Sequence, residues 1–398
     1  MQNAKTTSRV APRGLHSEIM DDIDIAPPVG APPLLPDDQV RQLCDHGYVG
    51  VVLPTELSYN ADRLFQSAAA FFDMPIEEKL RFFPPSPNST EQGYTHLPGE
   101  KEFVTLRHRT CQPRNVGSSS ESSISSTAPH AQGAGSSTTL ASHLENLMSL
   151  VWTDASRLLH RILTDVGARL GNVAPDAWDP LVADAWDVPP SPLEAGPSML
   201  RVFRYEPRGG VADPHRDLGL LTLCICRGYG LEVWQRPGQG LSGSTMHDRD
   251  DSSHPLNAEM EARLPDHLHP HVKNTLQGPE EGNKTNIASS DGTTHSPPVA
   301  TWKSAPSVTV LVGDTLSILS GRRIPAGRHR VVSSEDGRMS IVFALRATTR
   351  GTIELGPFGG SGAVDADALW QAISTRRVNV NVRKEIREKQ RALSRANK

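Results

Sequence analysis

The sequence is poor in cysteine and in long apolar runs. Only four of its 398 residues are cysteine, and its net charge is −4. So few cysteines in so long a chain exclude a disulfide-built scaffold and predict a reducing, cytoplasmic environment. No apolar run approaches the roughly 20 residues that cross a bilayer, and the N-terminus lacks the layout of a signal peptide, so we expect no membrane contact. The small negative charge does not favour a nucleic-acid partner.

Turn-forming residues, by contrast, are abundant. The chain has 32 glycines and 32 prolines, which favours a mainly β or mixed fold over a helical bundle. Two low-complexity stretches, a Ser/Gly-rich one at 111–142 and a polar one at 236–300, interrupt the patterned sequence and are predicted to be insertions. Residues 1–33 are polar and end in a proline-rich run, which predicts disorder.

The patterned segments divide the rest of the chain. Residues 34–110 predict helices around a short strand, and 143–197 predict a long amphipathic helix that ends at Gly171. Strand patterns dominate 198–352, including "SVTVLVGDTLSILS" and "RMSIVFALRAT" as two uninterrupted strands. The region 353–398 is predicted to be a C-terminal helical tail whose basic end, from Arg376, forms an exposed helix.

The stretch "DPHRDLGLLTLCICRGYGLEVW" places a His and an Asp at the start of a strand that is built to be buried. His215 and Asp217 are two residues apart, so in an extended segment both side chains project to the same side. Polar groups at a core edge are costly unless they have a partner, and a metal ion is one such partner. His329, in "GRRIPAGRHRVV", offers a third ligand between a turn and a strand. Two imidazoles and one carboxylate form the ligand set of non-heme Fe(II) oxygenases.

Simpler interpretations exist for these residues. A His-x-Asp pair taken alone is more often a surface turn. Six other histidines lie in the polar stretch at 236–300 without the spacing of metal ligands. Cys224 and Cys226 form a C-x-C pattern, but on a leucine-rich strand they are better interpreted as small buried hydrophobic residues than as metal ligands.

The order of the motifs resembles one family, the isopenicillin N synthase-like Fe(II)/2-oxoglutarate-dependent dioxygenases. The resembling segments, in chain order, are "LCDHGYVGVVLP", "AAAFFDMPIEEKLRF", "EQGYTHLPGEKE", "LRVFRYEP", "HRDLGLLTLCICRGYGLEVWQ", "VLVGDTLSILSGRRIPAGRHRVV" and "GRMSIVFALR". They cover about residues 34–108 and 140–350. The resemblance implies a mainly β fold with flanking helices, a double-stranded β-helix or jelly roll, in the region 198–352, preceded by an N-terminal dioxygenase region at 34–110.

The resemblance also implies roles for individual residues. His215, Asp217 and His329 would bind Fe(II) and act as the catalytic centre. Arg338 and Ser340 would bind the distal carboxylate of 2-oxoglutarate, and Tyr205 would be their third partner. A planar guanidinium suits a carboxylate because it donates two parallel hydrogen bonds. For Arg338 a solvated arginine after a turn, and for Tyr205 a core tyrosine, are the alternatives. Three further residues, Tyr94, Lys101 and Glu102, are candidates for substrate contact at the mouth, or plain surface residues.

The expected activity is therefore O2-dependent oxidation of a small organic molecule by hydroxylation, desaturation or ring formation. Positions 217 and 329 are 112 residues apart, which is about twice the spacing that this family usually has, and the insert at 236–300 explains the excess. Two inserts and an unorthodox tyrosine strand suggest secondary-metabolite biosynthesis. We expect a cytoplasmic monomer.

Three rival interpretations remain at this stage. The first is an oxidase of the same fold that uses no 2-oxoglutarate, since Arg338 and Ser340 can also hold a substrate carboxylate. The second is a non-catalytic jelly-roll binding module. The third is a nucleic-acid binder that uses the basic tail at 376–398, which the absence of aromatic residues in that tail disfavours.

Overall fold

The structure is a computed structural model that describes residues 33–86, 91–110, 134–171, 173–235, 301–360, 362–375 and 378–396. Nearly all of the segment 1–33 that was predicted to be disordered, most of the Ser/Gly-rich insert and the whole polar insert at 236–300 lie outside these residues. Within these ranges, no helix combines the length and the apolar composition needed to cross a membrane.

Antiparallel strands form two sheets that face each other. The strands are β1 (Tyr48–Gly50), β2 (Gly93–Leu97), β3 (Lys101–Leu106), β4 (Met199–Tyr205), β5 (Ala212–His215), β6 (Leu221–Arg227), β7 (Leu231–Gln235), β8 (Thr301–Ser304), β9 (Val308–Val312), β10 (His329–Val331), β11 (Arg338–Leu345), β12 (Thr352–Glu354) and β13 (Ala363–Asp365). The major sheet has the order β1-β9-β6-β11-β4-β3-β2, and the minor sheet has the order β5-β10-β7-β8. The strands β12 and β13 form a separate hairpin.

Helices lie around the two sheets, and the two longest cover the outer face of the major sheet. The helices are α1 (Asp37–His46), α2 (Thr55–Phe72), α3 (Ile76–Phe82), α4 (Ala134–Arg169), α5 (Asp179–Val182), α6 (Asp314–Leu319), α7 (Ala366–Ser374) and α8 (Lys384–Ala396). The helices α2 and α4 pack on each other and on the major sheet. The buried Trp152 of α4 meets Phe343 of β11 edge to face, with 5.1 Å between the ring centroids. This outer core leaves the inner face of the sheet free to face the minor sheet.

The alternation of side chains along each strand shows which residues of the major sheet face the minor sheet. On β11 the residues Met339, Ile341 and Phe343 belong to the helix side, whereas Arg338 and Ser340 point toward the minor sheet. The apolar residues between the sheets form a second cluster that draws on both of them. Its buried members are Tyr48, Leu97, Phe103, Phe203, Tyr205, Ala212, Cys224, Cys226, Leu231, Val233, Leu311 and Val331.

Glycine lets the N-terminal region pack closely against the turn before β10. Gly47 ends α1 in the left-handed region, with φ of 76°, and its N–H donates to the Leu43 carbonyl. A Cβ at Gly47 would lie 2.5 Å from the Pro325 carbonyl oxygen and 2.7 Å from the Gly327 nitrogen. Only glycine permits this approach, which holds the turn that carries His329.

Two local predictions differ from the structure. The segment 307–320, predicted as one strand, forms β9 only as far as Val312, and then Gly313 precedes the helix α6. A run of apolar residues this long does not distinguish a strand from a buried helix. The long helix α4 begins at Ala134, inside the stretch that was assigned to the insert at 111–142.

The C-terminal helix α8 is mostly exposed, as its basic composition suggested, but one buried arginine anchors it to both sheets. Arg387 of α8 is only 5% exposed, and its two terminal nitrogens donate to the Glu100 carboxylate at 3.0 and 2.9 Å. Its Nε lies 3.7 Å from Asp213 on β5, and Arg391 also pairs with Asp213. Because Glu100 precedes β3 of the major sheet and Asp213 belongs to the minor sheet, α8 joins the two sheets.

Replacing Arg387 by glutamine should release α8 from this position. A bidentate pair between a buried arginine and a carboxylate is much stronger than an exposed ion pair, so we expect a loss of about 1–3 kcal/mol in the free energy of unfolding. Amide hydrogen exchange should rise across 379–396 in the folded protein. Arg208→Gln is the matched control, because the Arg208–Glu335 pair is fully exposed and should contribute little. Unchanged exchange in Arg387→Gln would contradict the prediction.

Candidate metal centre

The pairing of β5 with β10 brings the three predicted ligands together. His215 ends β5, His329 begins β10, and the two residues are direct partners in the antiparallel register. Asp217 follows β5 by two residues. The nitrogen Nε2 of His215 lies 3.8 Å from Asp217 Oδ1, and Nε2 of His329 lies 3.9 Å from the same oxygen. The sequence-predicted triad therefore converges on one point, and one donor atom from each residue lies within 4.8 Å of the other two.

Backbone carbonyls orient both imidazoles. His215 Nδ1 lies 2.7 Å from the Asp213 carbonyl oxygen, and His329 Nδ1 lies 3.1 Å from the Gly327 carbonyl oxygen. A carbonyl only accepts hydrogen bonds, so Nδ1 must carry the proton in each ring. Both Nε2 atoms then present a lone pair toward Asp217. Such backbone partners on the second nitrogen are typical of histidines that bind metals.

The burial of the triad keeps its donors in the form that binds a cation. The side chains of His215 and Asp217 are 21% and 23% exposed, so the cluster opens to solvent on one side. Burial and, to a smaller extent, nearby His329 lower the pKa of His215 to about 4. Burial raises the pKa of the Asp217 carboxyl, but the two histidines outweigh it and leave that pKa below its ordinary value. A neutral imidazole and an ionised carboxylate are the required metal-binding forms.

Arg338 points into the same space from the far end of the major sheet. It pairs with Tyr205 across β11 and β4, and its guanidinium lies over the Tyr205 ring, 5.0 Å from the centroid. One terminal nitrogen donates to Cys226 Sγ at 3.3 Å. The Nε and Nη1 atoms of Arg338 and the hydroxyl of Ser340 are buried and have no hydrogen-bond partner among the described residues. Unpaired buried donors are costly and indicate an absent acceptor.

The unpaired donors of Arg338 and Ser340 match the carboxylate of a co-substrate. Nε and one terminal nitrogen of a guanidinium form a fork that matches the two oxygens of a carboxylate, and the hydroxyl of Ser340 adds a third donor. Tyr205 is buried beside them, and burial raises the pKa of its hydroxyl to about 12, so it remains a neutral donor. The triad and this fork are consistent with Fe(II) and 2-oxoglutarate. Cys226 is buried, as the sequence predicted, but its contact with Arg338 was not predicted.

The comparisons with known proteins give structural neighbours but no sequence relatives. No protein-family model matches the chain, and no curated protein is significantly similar to it in sequence. A putative 2OG-Fe(II) oxygenase family protein from Caulobacter crescentus matches at a TM-score of 0.50 and 17% identity, over 84% of this chain and 91% of that one. The full-length Neurospora crassa T7H, in complex with alpha-KG and 5-formyluracil, has a TM-score of 0.49 and 16% identity, over 85% and 89% of the two chains.

The chain has the jelly-roll fold. The facing sheets, their antiparallel order and the Caulobacter crescentus structure agree on it. The triad lies at the open edge of the jelly roll, where β5 meets β10, and the Arg338 fork lies inside it. The fold thus places two distant segments of the chain, 213–217 and 327–340, around one interior space.

The three candidates for substrate contact, Tyr94, Lys101 and Glu102, do not all lie on the same face of the major sheet. Tyr94 and Glu102 lie on the helix side, where the Tyr94 hydroxyl donates to Glu102 at 2.6 Å and Lys79 donates to the same carboxylate at 2.8 Å. They border a cavity of about 710 Å³ that Arg204, Tyr205 and Arg338 also line, and that none of the three triad residues lines. The register of β2 and β3 turns both side chains toward the helices, and their contact with a substrate stays a prediction.

Lys101, one residue before Glu102, points inward and is fully buried. Its Nζ donates to the Val380 carbonyl at 3.2 Å and to Asn381 Oδ1 at 3.0 Å, and it lies 5.7 Å from the centroids of the Phe203 and Tyr205 rings. The segment before α8 therefore forms part of the wall of the jelly roll. Burial lowers the pKa of Lys101 to about 7.

Lys101 predicts a pH dependence of stability with a defined sign. Between pH 7 and about 10.5 the unfolded chain holds the Lys101 proton and the folded chain does not, so this residue makes stability rise with pH. Lys101→Met should therefore be more stable than the wild type by the largest amount near pH 7, and the difference should vanish toward pH 10. Urea unfolding of both proteins from pH 6.5 to 10 measures this difference. A constant difference across that range would contradict a lowered pKa.

Proposed function

We propose that this chain is a non-heme Fe(II)/2-oxoglutarate-dependent dioxygenase. The observation that carries the proposal is the convergence of His215 Nε2 and His329 Nε2 on Asp217 Oδ1, with both Nδ1 atoms bonded to backbone carbonyls. A triad that occupies one side of a metal leaves the other positions open for ligands, which a closed four-ligand structural site does not. A jelly-roll module that only binds a partner would not need such a site.

The residues of the chain divide the work between binding and orientation. His215, Asp217 and His329 hold the metal, and the carbonyls of Asp213 and Gly327 fix the imidazoles in the required tautomer. When bound, Fe(II) with 2-oxoglutarate and O2 supplies the oxidation of a substrate C–H bond. The protein positions that bond and limits the access of water to it.

Arg338 and Ser340 set the orientation of the co-substrate. The fork at Arg338 binds the distal carboxylate, so the keto-acid end of 2-oxoglutarate is directed toward the triad. The Tyr205 ring beneath the guanidinium and the Cys226 thiol beside it hold Arg338 in this orientation. The remaining donors of the buried Arg338 have no partner among the described residues and could bind a carboxylate. This favours a 2-oxoglutarate-dependent activity over an oxidase that uses no co-substrate.

The finer assignments extend the same proposal. The subtype is isopenicillin N synthase-like, the substrate is a small organic molecule, and the role is secondary-metabolite biosynthesis by a cytoplasmic monomer. The order of the motifs around His215, Asp217, His329 and Arg338 supports the subtype, and the two inserts support a specialised substrate.

Anaerobic titration tests the proposal directly. Fe(II) is added to the apoprotein, then 2-oxoglutarate, and the weak visible charge-transfer band of the chelate is recorded. We expect the band only when both are present, and slow release of succinate after O2 is admitted. Iron binding without a band would favour the oxidase that uses no co-substrate. Absence of iron binding would refute the enzyme and favour a non-catalytic module.

A further inference from the structure

The C-terminal helix α8 is attached beside the metal centre, through an aspartate that also contacts a predicted metal ligand. Asp213 belongs to β5, two residues before His215, and its carbonyl oxygen lies 2.7 Å from His215 Nδ1. Its carboxylate oxygen Oδ2 accepts from Arg391 of α8 and lies 3.7 Å from Arg387 Nε. Asp213 therefore contacts His215 with its backbone and α8 with its side chain.

The strand β5 has little other support. Among the strands that the structure describes, β5 lies at the edge of the minor sheet and pairs with β10 alone. Between its two paired positions, Ala212 and His215, β5 has one residue more than β10. Asp213 and Pro214 therefore form a bulge, and Pro214 has no N–H to contribute to the ladder. Because a short, bulged edge strand holds the Asp213 carbonyl weakly, the contact with α8 provides a further support.

Two arginines of α8 provide that support. Arg387 and Arg391 are four residues apart, so they lie on the same face of the helix. Arg387 is buried and also binds Glu100, which precedes β3 of the major sheet. Arg391 is half-buried and donates to Asp213. Arg387 thus holds α8 on the major sheet, and Arg391 connects the helix to the bulge of β5.

We propose that Arg391 and Arg387 are positioning residues for the metal ligand His215, and that docking of α8 and binding of the metal ion are coupled through Asp213. The proposal rests on the proposed function, because it takes the triad as a metal site. Metal ligands must be held within about 0.5 Å of their productive positions. The docked helix holds the Asp213 carbonyl where it directs His215 Nε2 toward Asp217. Each event therefore favours the other by the same factor.

Coulomb interactions alone predict the opposite effect on metal affinity. Arg391 carries a positive charge close to a cation site, and its removal would leave the carboxylate of Asp213 without this partner. Both changes would strengthen the binding of a cation. Loss of positioning weakens that binding instead. The direction of the change therefore distinguishes a positioning role from a simple charge effect.

The Fe(II) affinity of Arg391→Gln tests the inference. It is measured on the full chain by equilibrium dialysis under argon, and circular dichroism establishes that each variant is folded. Loss of a hydrogen-bond partner behind a metal ligand costs 10- to 100-fold in affinity. Here the carbonyl remains and only its support is lost, so we expect a smaller effect, with binding about five-fold weaker.

Two further variants separate the ion pair with Asp213 from the charge of the helix. Arg391→Lys should recover most of the affinity, because it keeps a positive charge opposite Asp213. Lys389→Gln is the matched control, since Lys389 is exposed on the same helix and the same charge is removed. It should bind Fe(II) as the wild type does.

Amide hydrogen exchange measures the coupling from the other side. In the wild type, Fe(II) should slow exchange across α8 by about five-fold, because the coupling is reciprocal. Arg391→Gln should lose most of this protection. Without metal, Arg391→Gln should also show faster exchange than the wild type in the peptides that span β5.

The outcomes separate this inference from the proposed function. Unchanged or tighter Fe(II) binding in Arg391→Gln, or exchange across α8 that does not respond to Fe(II), would overturn the coupling and leave the proposed function standing. A wild type that binds no Fe(II) would refute the proposed function. Exchange in the metal-free protein then decides the positioning of His215 by itself. Faster exchange of β5 in Arg391→Gln would support it, and unchanged exchange would overturn it as well.

Discussion

His329→Ala is expected to abolish iron binding. His329 begins β10 opposite His215, and its Nε2 is one of the two imidazole donors that converge on Asp217. Loss of a hydrogen-bond partner behind a metal ligand alone costs 10- to 100-fold in affinity or activity. Loss of the ligand itself should therefore weaken Fe(II) binding by about 100-fold or more and reduce succinate release to background. Equilibrium dialysis under argon and a succinate assay measure the two effects.

His96→Ala is the control for this variant. His96 is half-buried, lies 3.6 Å from Glu206 and borders a cavity that none of the triad residues lines, so its removal should leave iron binding unchanged. Circular dichroism and thermal unfolding establish that both variants are folded. Iron affinity in His329→Ala within a few-fold of the wild type would show that the triad is not the metal centre.

The triad and the Arg338 fork could be predicted because their spacing encodes their geometry. His215 and Asp217 are two residues apart, as are Arg338 and Ser340. Because side chains alternate between the two faces of a strand, each pair lies on one face whichever strand is its neighbour. The pairing of β5 with β10 then adds His329. The role of His329 as the third ligand was implied by the resemblance. The sequence does not show that its segment lies near His215, because the insert at 236–300 separates the two segments.

Features that depend on strand register or on partners far along the chain could not be predicted in this way. Tyr94 and Glu102 face the helices, whereas Lys101 faces the interior. The pairing register of β2 and β3 decides which residues face which side, and that register cannot be derived from the sequence. The basic composition of α8 suggested an exposed helix. Most of α8 is exposed, but its Arg387 is buried against Glu100, which is 287 residues away in the chain, so the sequence could not indicate this contact.

Arg338→Gln is expected to weaken 2-oxoglutarate binding by about 100-fold. Loss of one partner of a buried, hydrogen-bonded charge pair costs 2–5 kcal/mol, and about 3 kcal/mol corresponds to somewhat more than 100-fold in the dissociation constant. Arg338→Lys keeps the charge but loses the fork of two donors, so an intermediate loss of roughly 10-fold is expected. The Kd is measured from the charge-transfer band in the Fe(II)-loaded protein without O2.

Pyruvate makes this prediction specific to the distal carboxylate. It carries the same keto-acid end as 2-oxoglutarate and lacks the second carboxylate, so wild type and Arg338→Gln should bind it with equal affinity. Arg330→Gln is the matched control. Arg330 pairs with Glu232 at 2.6 Å and lies over the Trp302 ring, so it takes no part in the Arg338 fork. A loss of affinity for both keto acids would mean that the variant disturbs the metal centre. Full 2-oxoglutarate affinity in Arg338→Gln would leave the fork to a substrate carboxylate, as the oxidase interpretation requires, because the same three donors cannot serve both acids at once.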